Sequence, residues 1–282
     1  MTMARELQVV RVAGWEPYGW LRHGFSTRFG GVSNVYGGLD LNLGFTVDDD
    51  AALVRENRRR FSRTVCGEMC GEDGSALVTV RQVHSGGSRV VRESDGALEG
   101  RLETAAGKAV WEADGLLTGM PGVLLGVQTA DCVPVLVVDV KRRVVGAFHA
   151  GWRGTVARIV ERGVESMSEE FGTRVEDLVA AVGPSIGACC YSVGEEVWGE
   201  FAAGFDYGAS LFAEKGGAIR LDLWEANRRQ LLAAGVGAER IAVVGDCTGC
   251  AGVGSVEGRR YFSYRMERGV TGRMLSVVGI AG

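Results

Sequence analysis

Three histidines occur in 282 residues, and two of them sit where an apolar run breaks into a glycine-rich turn. His149 ends the run in "VVGAFHAGWRGT" (144–155), and His84 ends "ALVTVRQVH" (76–84) before Ser-Gly-Gly. Between them, "TADCVPVLVVDVKRRVVGAFHAGWRGT" reads as a hairpin. With Val140 facing Lys141 at the turn, Cys132 falls opposite His149, and directly opposed residues share one face of a sheet, about 4.5–5.5 Å apart at Cβ. A thiolate and an imidazole at that separation can share a metal ion. They can equally act as a nucleophile and its base, Cys132 attacking and His149 taking the proton. Adding His84 gives a His/Cys/His set. Three protein ligands leave a fourth position for water or substrate, as in a catalytic zinc site. A buried cysteine beside two hydrogen-bonded histidines is the chemically inert alternative.

Other residues could serve that centre. Asp131 precedes the cysteine and could orient a ligand or move a proton. Gln82, two residues before His84, could touch substrate. Arg153 offers a forked cation suited to phosphate, beside a helix that Thr155 would cap. Arg28 and Ser33, in an N-terminal glycine loop, are further phosphate or hydroxyl ligands. The remaining cysteines pair by spacing. Cys247 and Cys250 form a CxxC and Cys66 and Cys70 a CxxxC, and together these four could hold a structural zinc. Cys189 and Cys190 read as core packing. His23 reads as a surface or internally satisfied histidine.

The elements that must position these groups follow from the patterning. Short Val- and Leu-rich runs bounded by Gly and Asp predict strands at 76–84, 122–128, 133–140, 144–150, 177–183, 240–246 and 274–280. Helical spacing of apolar residues covers 155–171. Acidic residues open a helix over 48–65, and Asp222 with Glu225 begins another that stops at Gly235. The short connection between the runs at 133–140 and 144–150 points to antiparallel pairing, and no GxGxxG follows a strand; both argue against a regular dinucleotide-binding sheet. The expected fold is mixed α/β, one domain over 1–282.

The net charge of −4 carries no basic signature for nucleic acid. No apolar run is long enough for a membrane span, and the N-terminus lacks a signal-peptide core, so the chain reads as cytoplasmic. Seven cysteines, an odd number, fit reduced thiols better than a disulfide framework.

"RQVHSG", "QTADCVPVLVVD", "HAGWRGT", "GPSIGACCYSVGEEV" and "YFSYRMERGVTGR", with "FSTRFGGVSNVYGGLDLNLG" and "VRENRRR" before them, resemble the successive motifs of the YfiH family. That family was first labelled polyphenol oxidase or laccase-like, and its members are described as zinc-dependent purine nucleoside enzymes. The resemblance implies phosphorolysis of adenosine, inosine, guanosine and 5′-methylthioadenosine, deamination of adenosine, and zinc held by His84, Cys132 and His149. It also implies a β-sandwich flanked by helices, shared with the deamidase domain of a bacterial cytotoxic necrotizing factor. Ser192 and Met266 depart from the residues common in the family, at positions away from the three ligands. The type 2 and type 3 coppers of a multicopper oxidase are held by many histidines, and three in total cannot build them. A single copper on two histidines and a cysteine is compatible with the count. The preferred purine and the oligomeric state are not legible in the residues.

Overall fold

A computed structural model describes residues 6–67, 76–104, 107–255 and 258–282. Two mixed sheets stack face to face with helices on both outer surfaces. The five-stranded sheet has the order β1 (Val9–Val10), β2 (Leu21–Ser26), β15 (Met274–Ile280), β7 (Val123–Thr129), β4 (Ala76–Thr79). The six-stranded sheet has the order β14 (Ile241–Val243), β10 (Leu178–Val182), β8 (Val133–Asp139), β9 (Val144–Ala150), β6 (Gly115–Thr118), β5 (Ser88–Val90). A small antiparallel sheet of β11 (Ser192–Val193), β13 (Ala218–Leu221) and β12 (Phe212–Lys215) lies apart, and β3 (Phe29–Ser33) joins none of the three.

The layers explain the patterning. Leu136 and Val138 of β8 and Val145 and Ala147 of β9 pack against Leu125, Val127 and Val278 of the opposite sheet. The alternate residues, Val133, Val135, Val137 and Phe148, face α3 (Ile159–Phe171) and α5 (Leu223–Ala233). Strands covered on both faces read as unbroken apolar runs, which is what "VPVLVVDV" is. On the far side, α1 (Ala51–Cys66) lays Phe61, Val65 and Cys66 over Leu124, Leu275 and Val277. The remaining helices are α2 (Trp152–Val156) and α4 (Glu195–Gly204).

Several boundaries differ from the sequence reading for local reasons. The run 76–84 leaves the sheet after Thr79, and His84 adopts φ 60°. The run 240–246 pairs only over Ile241–Val243. Asp50 caps α1 by accepting from Ala52 N, and Asp222 caps α5 by accepting from Glu225 N. The helix expected over 155–171 is two helices. Gly151 is the N-cap of α2, Arg158 breaks the chain at φ 58°, and α3 begins after it. Thr155 is therefore not a cap. It lies inside α2, fully buried, taking a hydrogen bond from Asn227.

The hairpin register also moves. Pro134, not Cys132, stands opposite His149, and Asp139 pairs with Val144. The turn is four residues long because the Asp139 carboxylate accepts from the amides of Lys141 and Arg142 and Arg143 turns the chain at φ 54°. A shift of two partner positions leaves every side chain on its original face. Cys132 thus reaches His149 diagonally instead of straight across.

Candidate metal centre

Three segments at or near strand ends meet at one edge of the sandwich. His149 is the penultimate residue of β9, Cys132 immediately precedes β8, and His84 lies in the loop after β4. One ligand atom from each of His84, Cys132 and His149 lies within 4.8 Å of the others. The two imidazoles meet edge to face with ring centres 4.9 Å apart. His149 is buried, Cys132 half-buried and His84 exposed, so the cluster opens to solvent on one side.

A residue outside the sequence-derived set organises this cluster. Asp114 is wholly buried immediately before β6. Its Oδ1 lies 2.9 Å from His149 Nδ1 and 3.0 Å from the amide of His84, and its Oδ2 accepts from the amide and hydroxyl of Ser85. One carboxylate thereby fixes the ring of one histidine and the backbone of another. With Nδ1 engaged, His149 presents Nε2 toward the sulfur, the carboxylate–histidine arrangement found behind metal-bound imidazoles. The donor set fits a divalent metal of borderline softness such as zinc. Asp114 could not be found in the sequence, because "EADGLLTG" has the form of any acid before a strand.

Electrostatics follow from the same contacts. Burial disfavours the Cys132 thiolate, but the positive potential and hydrogen bonds of His149 and His84 outweigh it and bring the thiol down to about 6. Burial likewise opposes the His149 imidazolium, and Cys132 with Asp114 reverses that and lifts it to about 9. Asp114 is held down at about 2: burial is outweighed by His149 and Ser85. Without a metal, these contacts favour a thiolate on Cys132 and a proton on His149, backed by the Asp114 carboxylate. Gly151 permits this packing. A Cβ there would stand 2.9 Å from Cys132 Sγ and 3.2 Å from the His84 ring.

The cluster lies on the wall of a cavity of about 610 Å³ that also includes Gln128, Tyr191, Tyr264, Arg265 and Arg273. Tyr264 is 56% exposed and offers a ring face at the rim. Arg265 also lines a second, adjoining cavity that contains Arg153. Gln82 lines the larger cavity, but its amide is committed at both ends to the backbone of Gln128, at 2.7 and 2.8 Å.

The other sequence-derived residues fall in two groups. Asp131 borders the cavity at φ 92°, with Oδ1 bonded to the Thr248 hydroxyl (2.6 Å) and Oδ2 to the Arg265 amide (2.7 Å). It anchors the loops around Cys132, while the carboxylate behind the ligands is Asp114. Arg153 lies over the Trp152 ring at 4.1 Å, and no carboxylate among the described residues pairs with it. Arg28 and Ser33 are not among the residues lining the cavity. Arg28 is buried between Asp40 and Glu267, and Ser33 donates to Asp49. Cys66 is the last residue of α1 and packs onto the five-stranded sheet, and Cys70 lies outside the described residues. Cys247 and Cys250 meet Cys189 and Cys190 instead, so that pair is not simple core packing. His23 is buried, its Nε2 accepting from the Val12 amide, which excludes the surface alternative.

A family model described as "Multi-copper polyphenol oxidoreductase laccase" matches residues 22–281. The chain belongs to this family, the one that contains the YfiH proteins. A Deinococcus radiodurans relative named purine nucleoside phosphorylase is 40% identical over 260 residues, covering 92% of this chain and 88% of its own length. A protein named adenosine deaminase RL5, from an unknown prokaryote, is 38% identical over 84% of this chain and 87% of its own length. The crystal structure of YlmD from Geobacillus stearothermophilus superposes with a TM-score of 0.80 at 35% identity, covering 98% of both chains. The chain is thus an enzyme by its relatives, and these two carry names from purine nucleoside chemistry, not phenol oxidation.

Proposed function

We propose that this chain is a zinc-dependent purine nucleoside enzyme that phosphorolyses adenosine, inosine, guanosine and 5′-methylthioadenosine and deaminates adenosine. The observation that carries this reading is the convergence of His84, Cys132 and His149 on an open cavity, in a chain whose relatives bear those names. The cavity is within the usual range of small-molecule sites. A divalent zinc held by these three side chains would supply Lewis acidity and lower the pKa of water at the site.

The protein's own residues do the rest. Asp114 keeps His149 in one tautomer and ties the His84 loop to β6, so the ligand set is formed before substrate arrives. Tyr264 offers a face on which a purine ring can stack. Arg265 spans the two cavities and, with Arg153, gives phosphate a cationic seat beside the ribose. Asp131 positions Arg265 through its backbone amide. Gln82 holds the strand end that carries Gln128.

Product analysis with adenosine, with and without phosphate, tests this. Adenine plus ribose-1-phosphate with phosphate, and inosine by deamination, are expected, both abolished in His84→Ala. Product formation undiminished in that variant rejects the metal role.

A second reading rests on the Cys132 thiol at about 6 and the Cys132–His149–Asp114 line, which matches a cysteine hydrolase or deamidase triad. Alkylation of Cys132 that stops turnover of a metal-stripped protein would favour it. Copper-dependent oxygen consumption with phenols would favour the oxidase name of the family model. The nucleoside reading places the protein among small-molecule enzymes. No described helix is long and apolar enough to cross a membrane.

A further inference from the structure

Four cysteines gather on the opposite side of the loop that anchors Asp131. Cys189 and Cys190 lie in the turn before β11, and Cys247 and Cys250 in the turn after β14. Their four sulfurs all lie within 4.8 Å of one another, and Cys189 Sγ is 3.7 Å from Cys250 Sγ. A zinc–sulfur bond of 2.3 Å implies tetrahedral edges of about 3.8 Å. A disulfide would require about 2.05 Å. The one measured edge matches a tetrahedron around a single ion, and the 4.8 Å bound on the others is compatible with it and too short for four thiolates spread around a multi-iron cluster.

The backbone is shaped for this assembly. Ala251 N and Cys250 N both return to Cys247 O, closing the tight turn that lets the two sulfurs of a CxxC converge. Tyr191 N and Cys190 N both return to Gly187 O, forming the facing turn, where adjacent side chains need not alternate as they do in a strand. Gly187 N donates to Cys247 Sγ at 3.2 Å, the type of amide–sulfur bond that supports a metal-bound thiolate. Gly249 lets the turns close, since a Cβ there would lie 2.8 Å from Cys190 Cβ and 3.1 Å from its sulfur. Arg259 donates to Gly249 O, placing a cation beside a site whose four thiolates and one divalent ion would sum to −2. Cys189 and Cys250 are exposed and Cys247 is buried, which gives an entry path and a closed floor.

We propose that Cys189, Cys190, Cys247 and Cys250 form a second metal centre, a closed four-thiolate site that takes one zinc ion. All four positions of the tetrahedron are protein sulfurs, so the site holds structure and does no chemistry on substrate. What it holds is the rear wall of the first centre. Thr248, inside the CxxC, grips Asp131 next to Cys132, and Tyr191, directly after Cys190, lines the larger cavity. The proposal stands whether or not the nucleoside reading does.

The test is zinc content by elemental analysis of protein purified in reductant and reconstituted with zinc. Two equivalents per chain are expected for the unmodified protein and one for Cys189→Ser/Cys250→Ser. One is also expected for His84→Ala/Cys132→Ala, which is inactive but keeps the second site. In that last variant, cobalt substitution should give the absorption of a tetrahedral four-thiolate ion. Zinc should also protect Cys189, Cys190, Cys247 and Cys250 from alkylation until a chelator removes it. A single equivalent in the unmodified protein that is lost entirely in His84→Ala/Cys132→Ala overturns the proposal. So does free alkylation of the four thiols at saturating zinc. The alkylation and cobalt measurements decide the matter even if Cys189→Ser/Cys250→Ser fails to fold.

Discussion

Asp114 does more for the candidate centre than its place in the sequence suggests. It holds the ring of His149 and the amides of His84 and Ser85 at once. Asp114→Asn keeps the shape but removes the charge that raises the basicity of the imidazole. Metal affinity is expected to fall roughly 10–100-fold, measured by competition with a chelator. Undiminished affinity would show that His149 needs no charged partner. Gly151→Ala tests the crowding around the ligands. Its methyl would stand 2.9 Å from Cys132 Sγ and 3.2 Å from the His84 ring and so push two of the proposed ligands apart. Loss of bound zinc with a near-native circular dichroism spectrum is the expected outcome. At this scale the sequence was legible where residue type was rare: with three histidines, two near strand ends, the cluster of His84, Cys132 and His149 that the structure brings together could be picked out. Asp114 and Arg265 were not legible, because Asp and Arg are common and their roles depend on contacts 35 and 134 residues away.

Among the elements, the β8–β9 hairpin and α3 are fitted to each other at one point. Phe148 is fully buried, and a Cβ on Gly163 of α3 would lie 2.2 Å from its ring. Gly163→Ala gains about 1 kcal/mol of helix propensity. Overpacking a filled core costs about 1–3 kcal/mol. The net expectation is destabilisation by up to about 2 kcal/mol, read as a lower urea midpoint at unchanged slope. Stabilisation would mean that the two elements are loosely packed there. Strand runs were legible here because both faces are covered. The hairpin register was not, since it depends on Asp139 capping a four-residue turn. The break between α2 and α3 was also hidden, because apolar spacing continues straight across Arg158.

For the whole molecule, acid sensitivity is set in part by His23. Burial, then the nearby Arg11, lower its pKa from 6.5 to about 4, and its Nε2 must stay unprotonated to accept from Val12. The unfolded chain binds this proton from about pH 6.5 downward and the folded chain only near 4. Stability therefore falls as pH drops through that window, by up to about 3 kcal/mol, and rises again toward neutrality. His23→Gln should flatten this part of the urea-midpoint profile relative to the unmodified protein, and an identical slope would remove His23 from the account. The mixed α/β class was expected from strand and helix patterning, and the layered sandwich only from family resemblance. The strand order was not, because nothing local reveals that β15 pairs with β2 and β7 in the middle of its sheet. That placement has a consequence for synthesis. As the chain leaves the ribosome, β2 and β7 wait for a centrepiece emerging some 250 and 150 residues later. The six-stranded sheet, whose strands end at Val243, can assemble first. Until residue 280 is translated, the apolar edges of β2 and β7 stay open to chaperones and to neighbouring nascent chains.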